Sequence, residues 1–276
     1  MTDTRSGSGT DRTVVGSTVA PPRNYDLEAG NHPQHLYAYG FDDLMHSYMM
    51  RAWEDDFRDG GVLEMGCFHG HFTQLLCNRF EYVDVVEASQ QCIAVASQTV
   101  GSRATFFNTR FEDFKPVRRY DNIVMSHTLE HIDEPVAVLR QIGTWLAVGG
   151  RLFLATPNAR AASRQIAVHM GLIEQTASVT AAEHAHGHRV TYALDTLRAD
   201  VLRADLRIVR HGGVCFKALA NFQIDAALKA GIISRQYLDA CFELGRTYPD
   251  LCSSIYIVCD CAATAHTAVP QARGPA

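Results

Sequence analysis

The stretch Val62-Leu63-Glu64-Met65-Gly66-Cys67-Phe68-His69-Gly70 decides the reading of the chain. Residues suited to a buried strand run directly into a glycine-bearing turn, and a helical pattern from Phe72 to Phe80 follows. In an open α/β sheet such a turn, at the carboxyl end of a strand, is where a nucleotide-like ligand lies. A pyrophosphate needs close backbone approach, normally through G-x-G-x-x-G at the positive end of a helix. Here Phe68 replaces the middle glycine, and Glu64 stands two residues before Gly66, where a carboxylate repels a diphosphate. An acid at that point suits a cationic ligand.

Outward from this turn, strands and helical patterns alternate at intervals of about 20 residues, the rhythm of βαβ units. Strands are expected at Val62–Met65, Tyr82–Glu87, Ala104–Phe107, Asn122–Ser126 and Arg151–Ala155, with helices over Phe72–Phe80, Gln90–Val100 and Pro135–Leu146. Pro135 opens the last helix and Gly149-Gly150 reads as its stop signal. This alternation predicts a doubly wound, Rossmann-like α/β sheet covered on both faces. Upstream, Leu36, Tyr37, Phe41, Leu44, Met45, Tyr48, Met49 and Trp53 follow helical spacing and predict a helical cap over residues 32–58. Downstream come helices at Ala161–Met170 and Leu194–Ala204 and strands at Leu206–Val209 and Ser254–Cys259, with a helical insertion over about 218–250. Residues 1–24 and 265–276 read as mobile tails, leaving one domain over 25–264 with a ligand half (61–156) and a substrate half (157–264).

Three further segments complete the picture. Glu87, 21 positions beyond Gly66, ends the second strand where a carboxylate can accept both hydroxyls of a ribose. Arg110-Phe111-Glu112-Asp113-Phe114 follows the third strand and offers an aromatic face with an adjacent acid for an adenine. The fourth strand ends in Ser126-His127-Thr128-Leu129-Glu130-His131, delivering polar residues to the switch point of the sheet.

In this order and spacing the four segments, with the strand Gly149-Gly150-Arg151-Leu152-Phe153-Leu154-Ala155, resemble the class I S-adenosylmethionine-dependent methyltransferases over roughly residues 61–156. The resemblance implies a seven-stranded sheet whose last strand is antiparallel, and S-adenosylmethionine as cofactor. It also implies that Glu64, Gly66, Cys67, Phe68 and Gly70 cradle the methionine part, Glu87 with Ala88 the ribose, and Phe111 with Glu112 the adenine. Ser126 and His127 would face the sulfonium. Phe68 stands where the family more often has glycine, which implies a tighter or shifted turn.

Methyl transfer asks for alignment and for removal of a proton from the nucleophile, a task suited to histidine. The candidates are His127 and His131, which share a face if their segment is helical, and His186 and His188 in Glu183-His184-Ala185-His186-Gly187-His188, where alternation points three imidazoles one way. That run has no visible long-range partner, so no metal is assigned. Cys259-Asp260-Cys261 reads as structural and Lys217, after a Gly212-Gly213 turn, as a solvated lysine.

Composition sets the bounds. With 276 residues, 47% hydrophobic and 20% charged, and a net charge of -5, the chain is globular and lacks a general affinity for nucleic acid or anionic membrane. No apolar run is long enough to span a bilayer and no secretory pattern opens the sequence, so a cytoplasmic monomer or homodimer is expected. The scattered cysteines read as small buried hydrophobes. The expected function is methylation of an oxygen or nitrogen of a small-molecule acceptor. The alternatives are a nicotinamide-dependent oxidoreductase and a non-catalytic S-adenosylmethionine-binding protein.

Overall fold

Apolar segments that are buried on both faces need cover on both faces, and the chain supplies it by placing helices between successive strands. The computed structural model describes residues 23–30 and 38–261, so most of the two expected tails, and Leu36 and Tyr37, lie outside the described residues. The elements in order are α1 (Tyr25–Glu28), α2 (Gly40–Trp53), β1 (Val62–Met65), α3 (His71–Arg79), β2 (Val83–Glu87), α4 (Gln90–Val100), β3 (Thr105–Asn108), β4 (Tyr120–Ser126) and α5 (Pro135–Gly143). They continue with β5 (Leu146–Pro157), α6 (Ala162–His169), α7 (Ala181–Ala185), α8 (Leu194–Arg203), β6 (Leu206–Phe216), α9 (Asn221–Lys229), α10 (Arg235–Gly245) and β7 (Cys252–Cys261).

One sheet of seven strands runs β3-β2-β1-β4-β5-β7-β6. The first five are parallel and β7 is antiparallel to both β5 and β6. Alternation along the strands divides the core. Val62, Val85, Val124, Phe153 and Val258 pack toward α2, α3 and α10, whereas Leu63, Met65, Ile123, Leu154 and Ile257 pack toward α5 and α8. Helix α2 buries Phe41, Met45, Tyr48, Met49 and Trp53, and its first free N–H groups, on Gly40 and Phe41, donate to the Asp225 carboxylate of α9 at 2.9 and 2.8 Å. The insertion helices thereby hold α2 against the sheet. No helix among the described residues is long and apolar enough to cross a membrane.

Two glycine pairs differ from their sequence reading. Gly149-Gly150 is not a helix stop, because α5 ends at Gly143; the pair lies within β5, where the register against β4 shifts between Tyr120 and Asn122. Gly212-Gly213 is not a turn but continues β6 opposite Tyr256 and Ile255, so that strand is longer than expected. At Gly213 a Cβ would stand 2.6 Å from Cys252 Sγ, which explains why the strand needs glycine there.

Glu64 also departs from expectation. It shares the Val62 side of β1 and points beneath α3 toward Thr73, and neither carboxyl oxygen has a hydrogen-bond partner among the described residues. Burial pushes its pKa up to about 8. The unfolded chain ionises near the ordinary value of 4.5 while the folded protein keeps the acid neutral, so stability is full below that value and is lost as pH rises toward 8. Glu64→Gln should therefore stabilise the ligand-free protein at pH 8 by on the order of a few kcal/mol and change little near pH 4, as read from denaturant midpoints. Equal effects at both pH values would refute the buried neutral acid.

Gly70 has a left-handed φ of 84°, and a Cβ there would approach Ala96 of α4 to 2.9 Å. Its role is to let α3 and α4 pack closely. Gly70→Ala should cost about 2–4 kcal/mol, whereas Gly171→Ala, with φ of 70° and open space around it, should cost only about 1 kcal/mol in the same measurement.

Candidate active site

The strand order reverses between β1 and β4, and a cavity of about 550 Å³ opens beyond their carboxyl ends. Gly66 makes the opening possible: its φ is 83°, and a Cβ would lie 2.8 Å from Thr128 Oγ1 in the segment after β4. Phe68 takes a left-handed φ of 45° itself, at a cost of about 1–2 kcal/mol, and its ring stacks on His69 with centroids 3.7 Å apart. The turn thus keeps a glycine-like backbone without the glycine.

Glu87 ties this turn to β2. Its Oε2 accepts from Cys67 N at 3.1 Å and its Oε1 from Ser89 N at 2.8 Å. Burial raises its pKa while these backbone donors oppose the rise. The side chain borders the cavity. Ser89 accepts from Cys92 N at 3.0 Å, capping α4, and donates to Asp26 Oδ1 at 2.6 Å.

Asp26 belongs to a strap that the sequence reading missed. Residues 23–30 cross one end of the cavity, pinned by Asp26 to Ser89 and by Arg23 Nη1, which donates to His131 O at 2.6 Å. Tyr25 borders the cavity with Phe111 and Glu112, and the Arg23 guanidinium sits 4.8 Å from its ring centroid. The available signal was Asn24, a helix N-cap before an acidic first turn, which the four-residue α1 confirms.

Another part of the lining is rich in imidazole, and the strap reaches it as well: the Glu28 carbonyl oxygen lies 3.4 Å from His186 Nδ1. Ser126 Oγ donates to Met49 Sδ at 3.1 Å, and the next residue, His127, turns the chain with φ of 51°. One ring nitrogen of His127 lies 2.8 Å from Ser254 Oγ, and burial pushes its pKa down to about 3. His46 of α2 also borders the cavity, stands edge-on to Phe72, and is held neutral by burial, its pKa about 4. His131, His186 and His188 line the same wall, together with Glu130 and Glu183. Burial lowers His131 and His188 as well, and raises Glu130 to about 8.

The fold therefore gathers Gly66, Phe68, Glu87, Ala88, Phe111, Glu112, Ser126, His127, His131, His186 and His188 around one cavity. Glu64, Cys67 and Gly70 stand behind its wall: Glu64 points under α3, the Cys67 side chain is in the apolar core, and Gly70 packs on α4. Three local expectations need correction. Residues 129–131 form a single 3-10 turn, so His127 and His131 do not share a helical face. Helix α7 breaks the expected alternation, leaving His184 exposed while His186 and His188 turn inward. Lys217 is buried, not solvated; its Nζ donates to Leu219 O at 2.7 Å beside the Phe41 ring, and burial lowers its pKa to about 8.

Comparison with known proteins agrees with this architecture. Residues 37–211 match the family described as "Methyltransferase domain". Over 99 residues the chain is 26% identical to malonyl-[acyl-carrier protein] O-methyltransferase 1 of Ilyobacter polytropus, and over 101 residues 28% identical to ubiquinone biosynthesis O-methyltransferase of Coxiella burnetii. These matches cover 34% and 35% of this chain, and the chain spans only 37% and 43% of those relatives. The N-methyltransferase NodS of Bradyrhizobium japonicum WM9, solved with S-adenosyl-L-homocysteine, aligns with a TM-score of 0.52 at 16% identity over 84% of this chain and 93% of its own. The plantazolicin methyltransferase BpumL aligns with a TM-score of 0.53 at 13% identity over 80% of this chain and 85% of its own. With the family match over more than half the chain, the sheet order and the cavity at the β1/β4 switch point, the protein belongs to the class I S-adenosylmethionine-dependent methyltransferases.

Proposed function

We propose that this protein transfers the methyl group of S-adenosylmethionine to an oxygen or nitrogen of a small-molecule acceptor, with a specialised metabolite as the acceptor class. The carrying observation is one cavity lined by two chemically different sets of groups: the Glu87 acid with the Phe111 and Tyr25 rings, and neutral imidazoles. Among the relatives and neighbours, names that specify O-methyltransferases and N-methyltransferases both occur, which supports an oxygen or nitrogen acceptor. Family membership argues against the nicotinamide alternative. Eight free thiols support a reducing compartment such as the cytoplasm.

The residues present fit the cofactor. Glu87 presents a carboxylate, an acceptor for the ribose hydroxyls, at the cavity, Gly66 leaves room for backbone approach, and Phe111 and Tyr25 offer aromatic faces to the adenine. When bound, S-adenosylmethionine supplies an electrophilic methyl on a cationic sulfonium. His127, kept neutral by burial, accepts a hydrogen bond from the acceptor O–H or N–H and so orients its lone pair toward the methyl group; the nucleophile's proton leaves to solvent as the C–S bond breaks and the new bond to carbon forms. The strap and the helices around α2 exclude water.

Incubating the protein with host extracts and methyl-labelled S-adenosylmethionine, then identifying the labelled product by mass, tests the activity directly. Cofactor binding without any labelled product would favour the non-catalytic alternative. Glu87→Ala should weaken S-adenosylhomocysteine binding about 10- to 100-fold by calorimetry, and an unchanged affinity removes the ribose assignment. His127→Asn should lower turnover at least about 100-fold while leaving cofactor affinity intact. Because the neutral ring is the active form and its pKa is about 3, kcat should show no acid limb from this residue above about pH 5.

A further inference from the structure

The sequence assigned no metal because the histidines of 184–188 lacked a long-range partner. The fold supplies one. One ligand atom each from Glu130, His131 and His188 lie within 4.8 Å of one another, although the residues come from two segments more than 50 positions apart. Backbone bonds fix this approach: Arg189 N and Val190 N donate to Glu130 O at 2.7 and 3.4 Å, bringing the loop after α7 onto the turn after β4. Arg23 also holds this turn, through His131 O.

The second observation is Glu130 itself. It is 1% exposed, and neither carboxyl oxygen has a hydrogen-bond partner among the described residues. A buried carboxyl left without partners is costly and calls for an explanation. Glu183, the nearby acid, is already engaged by Arg164 Nη1 at 2.6 Å and Thr180 N at 2.7 Å. The His131 and His188 rings meet edge to face, with centroids 4.5 Å apart and planes at 73°, so the two imidazoles do not stack face to face and can aim nitrogens at a common point.

We infer that Glu130, His131 and His188 form a site for one divalent transition cation in the wall of the cavity. Two imidazoles and one carboxylate suit zinc, cobalt or iron(II), whereas magnesium and calcium favour all-oxygen sets. Three protein ligands leave at least one coordination position, and all three residues border the cavity, so that position faces the cavity. Metal binding does not depend on the methyltransferase reading; completion of the shell by an acceptor oxygen rests on it.

The test titrates the tag-free full chain with zinc chloride by calorimetry, with elemental analysis after gel filtration and a parallel S-adenosylhomocysteine titration. One zinc per chain is expected. Glu130→Gln and His188→Asn should each weaken it at least about 10-fold, while His184→Ala should not. The S-adenosylhomocysteine titration reports whether each variant is folded; if Glu130→Gln is not, His188→Asn, on the partly exposed loop, decides. Wild-type protein that binds S-adenosylhomocysteine but no stoichiometric zinc overturns the site and leaves the methyltransferase reading standing. Zinc binding without S-adenosylhomocysteine binding does the reverse. Zinc affinity unchanged in the folded variants places the ion elsewhere and also overturns the site.

Discussion

The Glu87 carboxylate is the interaction on which the ligand end of the molecule depends. It stops β2 at the switch-point crevice, accepts from Cys67 in the turn after β1, and accepts from Ser89 at the start of α4. Ser89 in turn caps α4 and reaches the strap at Asp26. A single half-buried acid thereby links two strand ends and a helix start, and through Ser89 a distant N-terminal segment. Backbone donors are rigid, so the acid is aimed before any ligand arrives, which reduces the ordering cost of binding.

The histidine-lined wall of the cavity follows a different physical logic. Its histidines are removed from water and held neutral, with His127 fixed against Ser254 and His131 against His188. Neutral imidazoles can accept a proton, a hydrogen bond or a metal ion, and burial makes each of those more consequential than it would be in water. Aligning a methyl donor with a nucleophile needs an enclosed space. The strap, α2, α6 and the start of α9 contribute its walls, with Asp225 of α9 binding the amino end of α2.

The parts of this arrangement legible in sequence were those carried by local pattern. Gln90–Val100 is recovered as a helix because Ser89 caps it and its apolar residues keep helical spacing. Val62–Met65 is recovered as a strand because a run of buried residues meets a glycine turn. Local pattern misled where a neighbour distant in sequence changed the meaning of a residue. Gly212-Gly213 resembles a turn, yet the close approach of Tyr256 and Cys252 makes glycine necessary inside a strand. Lys217 resembles a surface lysine until the Phe41 ring and the Leu219 carbonyl enclose it.

The sequence by itself determined the βαβ alternation, the reversal that opens a crevice and the acid at the end of β2, because these follow from periodicity, glycine placement and fixed spacing along one chain. Only the tertiary structure decided which acids meet ligand and which are buried. Glu64 and Glu87 look equivalent in sequence, but strand parity sends one under α3 and leaves the other at the cavity. Only the tertiary structure, too, brought His188 to Glu130 and His131, because the hydrogen bonds that join them link residues far apart along the chain.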